Sequence, residues 1–372
     1  MQFKDIPGLD EVKQKLKRNA LSGRIPHAQM FLGSEGSANL ALALAYAQFL
    51  VCENRNEEDS CGICGPCHKV SKLIHPDLHF SFPTVGAKAL STSFMEEWRK
   101  ALAQNPYMDV YDWLKLLDSE NKQGNITVDE CRDIIRRLSL KSFESEYRFL
   151  ILWMPEYLGK EGNTLLKLIE EPPEKTLFIL VAQDQEEIIT TIRSRTQLVK
   201  IPRFQDTEIQ AYLEQHHLAQ GQQAETLSFL AEGNMNRAIA LSSAEDTSFF
   251  SSFREWLLAC YYVKIGDMLL WSDKTAQLGR ENQKQLLEFG IKLLREVLLL
   301  KNGADDLLKI RGTERDFADK FVNLVSEEGL EKMIAKLSEF IYYIERNANA
   351  RIALFQLSLL IKNILASSRA KK

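Results

Sequence analysis

The residues best suited to chemistry in this chain include four clustered cysteines. Cys52, Cys61, Cys64 and Cys67 follow the spacing Cys-x8-Cys-x2-Cys-x2-Cys. Four thiolates satisfy the tetrahedral coordination of Zn²⁺, and the short spacings let a tight turn aim successive sulfurs at one point. Disulfides, reduced cysteines without a metal and an iron–sulfur cluster are the alternatives. Because protein ligands fill all four positions, the pattern predicts a structural zinc module over residues 52–67.

A glycine loop precedes the cysteines. Met30-Phe31-Leu32 is typical of a strand, Gly33-Ser34-Glu35-Gly36 of a loop, and the run from Leu40 to Ala47 of a buried helix. A strand, a glycine loop and a helix in this order form the frame in which proteins cradle phosphates. The sequence therefore predicts a phosphate-binding type of frame near the N-terminus.

This loop lacks the side chains that hydrolysis requires. A working loop reads G-x-x-x-x-G-K-[ST], in which the lysine neutralises phosphate charge and the hydroxyl holds Mg²⁺. Ala38, Asn39 and Leu40 stand where Gly-Lys-Thr is expected. Backbone N–H groups at the helix N-terminus remain available to a nucleotide. Because no side chain of the loop is expected to hold the phosphates, we do not expect this chain to bind ATP tightly. The degenerate loop comprises Gly33, Gly36, Ser37 and Asn39.

Composition and net charge limit the classes of protein to which the chain can belong. The 372 residues are 45% hydrophobic and carry a net charge of −4, which describes a globular chain of two or three domains without a basic signature for nucleic acid. No uninterrupted apolar run approaches about 18 residues, and the N-terminus has no apolar signal core. We expect a cytoplasmic protein with no membrane partner.

The elements that position the loop follow an α/β order. Tyr147–Trp153 and Thr176–Ala182 are near-continuous apolar runs, the pattern of strands covered on both faces. A short extended stretch within His75–Pro83 is predicted to pair beside the first strand. In a hydrolysing ATPase the strand that corresponds to Tyr147–Trp153 ends with an acidic pair that holds Mg²⁺. This chain has Trp153 and Met154 at those two positions. A second catalytic element is therefore missing.

Two further segments differ from this α/β order. Residues 84–124, which close on Asn121-Lys122-Gln123-Gly124, are predicted to be an inserted and mostly helical excursion. Its interleaved aromatic and basic residues could bind single-stranded nucleic acid, but the many acidic residues favour local packing. From about residue 248 onward, only amphipathic or apolar helices are indicated, so the C-terminal part is predicted to be all-α.

Several motifs together resemble a known family. The degenerate loop, the four cysteines, His75-Pro76-Asp77, the stretch Asn163–Pro173 with its Glu-Glu-Pro-Pro ending, and Ser194-Arg195 occur in this order. The chain resembles bacterial DNA polymerase III clamp-loader subunits of the AAA+ class, most of all those of the delta-prime type. Thr196 replaces the cysteine of the family's Ser-Arg-Cys motif, and the 84–124 insertion also departs from its shorter members.

The resemblance implies an architecture in three parts. Residues 1–203 correspond to the AAA+ core, a P-loop-type parallel sheet that carries the zinc module and the insertion. Residues 204–247 correspond to a small helical lid, and residues 248–372 to a helical collar that mediates oligomerisation.

The resemblance also implies a function. The chain is expected to be a subunit without ATPase activity of its own that helps load the sliding clamp onto primed DNA, in a five-subunit ring with tau/gamma-type motor subunits and delta. Arg195, next to Ser194, would reach the ATP site of a neighbouring subunit as an arginine finger. From the residues alone, a surface arginine paired with a carboxylate is an equal alternative.

Two other functions are weighed against this one. The first is a zinc-containing nucleic-acid-binding protein outside the clamp loader, which the near-neutral charge and the lack of a basic stripe around Cys52–Cys67 disfavour. The second is an active ATPase with an atypical loop, which requires a lysine from elsewhere in the chain.

Overall fold

The chain divides into two units, Met1–Ser243 and Ala244–Lys372. The structure is a computed structural model that describes residues 1–86, 88–119, 124–243, 249–308, 310, 312–346 and 348–370. The predicted boundary at 247/248 lies outside the described residues. The predicted division at 203/204 stays a prediction, because the helices after residue 204 belong to the first unit.

The first unit is built on a parallel sheet, whose described strands lie in the order β2-β3-β4-β1-β5. The strands are β1 Ala28–Leu32, β2 Leu78–Ser81, β3 Arg148–Trp153, β4 Thr176–Ala182 and β5 Gln197–Lys200. Every residue of β3 and β4 is buried. These two runs are the strands that the sequence predicted to be covered on both faces.

The predicted pairing of the stretch after His75 with the first strand is wrong. Its strand, β2, pairs with β3 at the edge of the sheet, in a register that places Phe80 beside Ile151. The flanks of β1 are occupied by β4 and β5. The strand β4, which is apolar after Thr176, gains most from the central position, where both faces are removed from water, and this leaves the short β2 outside.

Helices cover both faces of the sheet. On one face, β1, β3 and β4 contribute Phe31, Ile151 and Val181 to a core shared with α2. On the other face, Leu150 and Leu180 pack with α6, α7 and α8. The helices of this unit are α1 Asp10–Leu21, α2 Asn39–Val51, α3 Gly65–Ser71, α4 Met95–Gln104, α5 Val110–Leu116, α6 Val128–Ser139, α7 Leu166–Glu170, α8 Thr190–Arg193, α9 Asp206–Gln215, α10 Gly221–Ala231 and α11 Met235–Ser243.

The stretch before the double proline is less helical than expected. The residues from Gly162 to Glu171 are typical of a helix stopped by the double proline. A 3-10 segment, Pro155–Leu165, occupies the first part of this stretch, and α7 supplies a short helix of five residues after it. The helix ends at Glu170, and Glu171 leaves the helical conformation because this conformation is disfavoured for a residue that precedes a proline. Thr127 caps α6, because its hydroxyl accepts a hydrogen bond from the backbone amide of Glu130.

The described part of the 84–124 segment contains α4 and α5, in agreement with its helical prediction; Asn121, Lys122 and Gln123 lie outside the described residues. Trp98 and Trp113 are fully buried and meet edge to face, and Phe82 stacks on Trp98 with ring centroids 4.2 Å apart. The segment also reaches α11, where the side-chain nitrogen of Asn236 donates to Asp112 Oδ2 at 2.7 Å. These contacts make the segment part of the core of its unit.

The second unit is helical throughout its described residues. Trp256 stacks on Trp271 at 4.7 Å and donates from its indole nitrogen to the hydroxyl of Ser358 at 2.8 Å, which ties three helices together. The helices are α12 Phe249–Tyr261, α13 Ile265–Ala276, α14 Arg280–Lys301, α15 Gly312–Phe321, α16 Glu327–Glu345 and α17 Ala350–Ala370.

The last helix, α17, has two different sides. Leu354, Leu357, Ile361 and Leu365 are buried, whereas Ile352 is 66% exposed. Among the described residues, one stretch, Ala350–Ser368 of this helix, is long and apolar enough to cross a membrane by length and composition alone. A core helix passes the same test, and α17 packs against α12, α13 and α16.

Candidate functional site

The glycine loop connects the end of β1 to the start of α2, as the sequence predicted. The Gly33 amide continues the sheet by donating to the Ala182 carbonyl at 3.1 Å. Gly36 has a φ of +67°, a conformation that side chains disfavour. Helix α2 is buried along its entire length, so the loop is held rigidly from both ends.

Asn39 stands in the position of the missing lysine and has a structural role. Its side-chain nitrogen donates to the Ala182 carbonyl at 3.0 Å and to the Gly33 carbonyl at 3.3 Å. Its oxygen accepts from the Leu40 amide at 2.9 Å. Asn39 is buried, and its amide therefore closes the gap between β4 and the loop instead of facing a phosphate.

The helices after β5 contact the other side of the loop. The backbone amide of Met235 donates to the Gly36 carbonyl at 2.9 Å, and the side-chain nitrogen of Asn234 donates to the Glu35 carboxylate at 3.2 Å. A side chain at Gly36 would overlap the side chain of Asn234. Arg203 Nε donates to Ser34 Oγ at 3.1 Å. These contacts fasten the α9–α11 helices to the loop, and no feature of the sequence marked Asn234 or Arg203 for this.

The end of β3 carries Trp153 and Met154 at the places where a hydrolysing ATPase has an acidic pair. Met154 follows the strand, and the nearby Glu156 accepts hydrogen bonds from the Gln183 and Asp184 amides at 2.6 and 2.9 Å. Burial raises the pKa of Glu156. The acidic group thus joins the ends of β3 and β4 and is used structurally, in line with the missing acidic pair noted in the sequence.

Replacing Asn39 by alanine should lower the free energy of unfolding by about 1–3 kcal/mol, because the Gly33 and Ala182 carbonyls lose a buried donor. Denaturant unfolding of the full chain measures this. Asn19→Ala, at a partly exposed position of α1, is the matched control and should stay within about 0.5 kcal/mol of the unchanged chain. Equal effects of the two substitutions would contradict the structural role of Asn39.

The four predicted metal ligands come together in the structure. The sulfurs of Cys52, Cys61, Cys64 and Cys67 all lie within 4.8 Å of one another. Cys52 follows the last residue of α2 and Cys67 lies in α3, so two helices and the turn between them form the cluster. The tight turn is possible because Gly62 adopts a φ of +74°.

The chemistry of the cluster fits a thiolate-ligated metal. The Cys61 amide lies 3.2 Å from Cys52 Sγ and the Cys64 amide 3.4 Å from Cys61 Sγ, so backbone donors point at the sulfurs. Amides of Ile63 and Cys64 lower the pKa of Cys61 to about 6, while burial raises the pKa of Cys52 and Cys67. Four sulfurs that surround one point and leave no position open could hold a structural zinc ion.

Arg195 follows α8 and is paired within its own chain. Its Nε and Nη2 atoms meet Glu170 Oε1, with the Nε contact at 2.5 Å. Its Nη1 atom donates to the Thr191 carbonyl at 2.8 Å and to Ser194 Oγ at 3.3 Å. The structure thus brings Ser194 and Arg195 together, and the Glu170 partner was not identified from sequence, although Glu170 belongs to the Glu-Glu-Pro-Pro motif.

Asp77, the last residue of the His-Pro-Asp motif, holds a surface loop in place. The buried Asp77 carboxylate accepts hydrogen bonds from the amides of Phe143, Glu144 and Ser145 at 2.5 to 2.9 Å. Burial alone would raise the pKa of Asp77, but these three donors hold it below its ordinary value. The loop presents Leu140 and Phe143 at 65% and 81% exposure, an apolar pair on a fixed support.

The fold and the site define a class of protein. A parallel sheet with a strand, glycine loop and helix at β1 is the P-loop type of α/β fold. This chain has Asn39 in place of the phosphate-binding lysine, and a cluster of four cysteines follows helix α2.

Comparison with known proteins gives the family. A family described as "DNA polymerase III, delta subunit" matches residues 8–205, more than half of the chain, and the chain belongs to this family. The delta-prime subunit of Escherichia coli strain K12 is 23% identical over 301 residues, which cover 80% of this chain and 77% of that protein. The resemblance to delta-prime clamp-loader subunits indicated by the sequence motifs is therefore confirmed.

The chain is also similar to proteins named as tau or gamma-related subunits of DNA polymerase III. The DNA polymerase III tau subunit of Escherichia coli strain K12 is 26% identical over 245 residues, 64% of this chain and 32% of that protein. The chain spans from about a third to under three fifths of the tau subunits that it matches. A solved gamma-subunit-related protein of Thermotoga maritima is 14% identical, with coverage of 95% of this chain and 99% of that one and a TM-score of 0.42.

Proposed function

We propose that this chain is a clamp-loader subunit that does not hydrolyse ATP and that completes the ATP site of a neighbouring subunit. Its partners are tau/gamma-type motor subunits and delta in a five-subunit AAA+ ring, which loads the sliding clamp onto primed DNA in the cytoplasm. The observation that carries the proposal is the combination of a family match with Asn39 in the lysine position, bonded to Gly33 and Ala182.

The absence of hydrolysis by this chain follows from two substitutions. Without a lysine, nothing in the loop neutralises the β- and γ-phosphates, and without an acidic pair after β3, no side chain there holds Mg²⁺. The Asn39 side chain is bonded to two carbonyls, and Oε1 of Glu156 accepts hydrogen bonds from two backbone amides. Converting the loop to a working one therefore requires more than a single substitution.

Arg195 supplies the catalytic contribution in trans. Phosphoryl transfer spreads negative charge over the equatorial oxygens, and a guanidinium binds that charge in a bidentate manner. Arg195 is partly exposed beside Ser194 at the end of α8, which leaves it accessible to another subunit. The AAA+ core, the lid and the C-terminal collar then hold this arginine at the interface.

The zinc module and the loop over residues 140–145, which Asp77 holds, have supporting roles in this proposal. A zinc ion on the four cysteines fixes α2 to α3, because its ligands come from the end of one helix and from within the other. The loop fixed by Asp77 offers Leu140 and Phe143 as an apolar surface for a protein partner in the assembly.

A reconstituted loader with and without this chain tests the proposal. The full complex should load clamps onto primed DNA, omission of the chain should abolish loading, and the isolated chain should show no ATPase activity. The motor subunits mixed with an unrelated zinc protein are the control. Hydrolysis by the isolated chain, or unchanged loading without it, would contradict the proposal.

A further inference from the structure

The guanidinium of Arg195 is engaged on both of its edges by its own chain. Glu170 Oε1 occupies the Nε and Nη2 edge, and the Thr191 carbonyl and Ser194 hydroxyl occupy Nη1. A phosphate oxygen competes for these same N–H donors, since the guanidinium fork fits carboxylate and phosphate alike. A phosphate on a neighbouring subunit must therefore displace Glu170 to gain the bidentate edge.

The position of Glu170 is set by the core. Glu170 is the last residue of α7, and the preceding Ile169 is buried in the same cluster as Ile192 of α8. Helices α7 and α8 pack against each other. Because both segments are anchored by these side chains, the carboxylate stays close to Arg195 without needing a contact from any other chain.

The pair is exposed enough to be exchanged. The side chain of Arg195 is 33% exposed and that of Glu170 is 44% exposed. An ion pair between partly exposed side chains changes an association constant by no more than about fivefold, because water competes for both charges. ATP brings a terminal phosphate whose charge exceeds that of one carboxylate, whereas ADP lacks that phosphate.

Resting on the proposed trans role of Arg195, we propose that Glu170 is a positioning residue that holds Arg195 within its own chain until the terminal phosphate of a neighbour's ATP replaces it. The exchange makes the contact between subunits sensitive to the nucleotide. Glu170 therefore weakens association only where a terminal phosphate competes with it for the arginine; in ADP there is no such competitor, and Arg195 stays paired within its own chain.

The test compares Glu170→Gln with Glu171→Gln in the full chain. Glutamine keeps the shape and removes the charge, so Glu170→Gln should tighten association with the ATP-binding tau-type subunit about two- to fivefold in ATPγS and leave it unchanged in ADP. Glu171→Gln, at the next position, should match the unchanged chain in both nucleotides. Thermal unfolding of each variant checks that the fold is retained.

The Arg195→Ala background separates the possible outcomes. Glu170→Gln should have no effect on association when Arg195 is absent; a persistent shift would show a general charge effect and overturn the role of Glu170. The same conclusion follows if Glu170→Gln behaves like Glu171→Gln while Arg195→Ala abolishes turnover. If Arg195→Ala leaves turnover unchanged, the proposed trans role itself fails.

Discussion

Replacing Arg195 by alanine should lower the DNA-dependent ATPase rate of the reconstituted loader by about 10³-fold or more. The guanidinium stabilises charge that develops on the transferred phosphoryl group, and an alanine leaves that charge unbalanced in the neighbour's site. The measurement is steady-state ATP hydrolysis with sliding clamp and primed DNA present. Assembly of the complex is checked by size-exclusion chromatography on the same samples.

Arg193→Ala is the matched control for this experiment. Arg193 lies two residues earlier and pairs with Glu186 at 2.8 Å, so its loss removes the same charge from the same short helix region. Turnover should remain within about threefold of the unchanged complex, a shift of roughly 0.6 kcal/mol in the barrier. Equal losses with both variants, or none with Arg195→Ala, would remove the catalytic role of Arg195.

Replacing Cys67 by serine should reduce bound zinc from about one ion per chain to near zero and destabilise the first unit. Cys67 is fully buried in α3, and a three-sulfur site loses most of the coordination energy that holds α2 and α3 together. A loss of about 4 kcal/mol corresponds to a fall of roughly 8–16 °C in the unfolding midpoint for a unit of this size. Metal analysis and calorimetry measure the two effects.

Cys131→Ser separates metal loss from the general cost of altering a buried thiol. Cys131 is buried in the other core, where its sulfur lies 3.7 Å from the Glu161 carbonyl. This variant should keep its zinc even if its midpoint falls. A chain that contains no metal as purified, or one whose midpoint is unaffected by a strong chelator, would contradict a structural zinc site.

Local patterns were sufficient for several features of the site. The run of small and apolar residues after the glycine loop predicted α2, since such a helix can be buried on all sides. The replacement of the lysine and of the acidic pair could be recognised in the sequence, because in a working ATPase each stands at a fixed number of residues from a strand. The cysteine spacing predicted the cluster because the chain reverses within a few residues at Gly62.

Local sequence patterns did not predict the order of the strands in the sheet. The stretch after His75 was placed beside β1, whereas it lies beside β3 at the edge of the sheet. Each strand shows its own burial pattern, but competition among all strands for the central position decides its neighbours. That competition depends on the total apolar area removed from water, which no single segment contains.

The sequence alone determined the α/β core, the helical C-terminal part, the degenerate loop and the four-cysteine cluster, because each depends on residue types at short and regular spacings. Only the tertiary structure paired Arg195 with Glu170, used Asn39 to join Gly33 to Ala182, and brought Asn234 against Gly36. These partners lie far apart along the chain. Packing of the helices on the sheet brings them together, and that packing is a property of the whole unit.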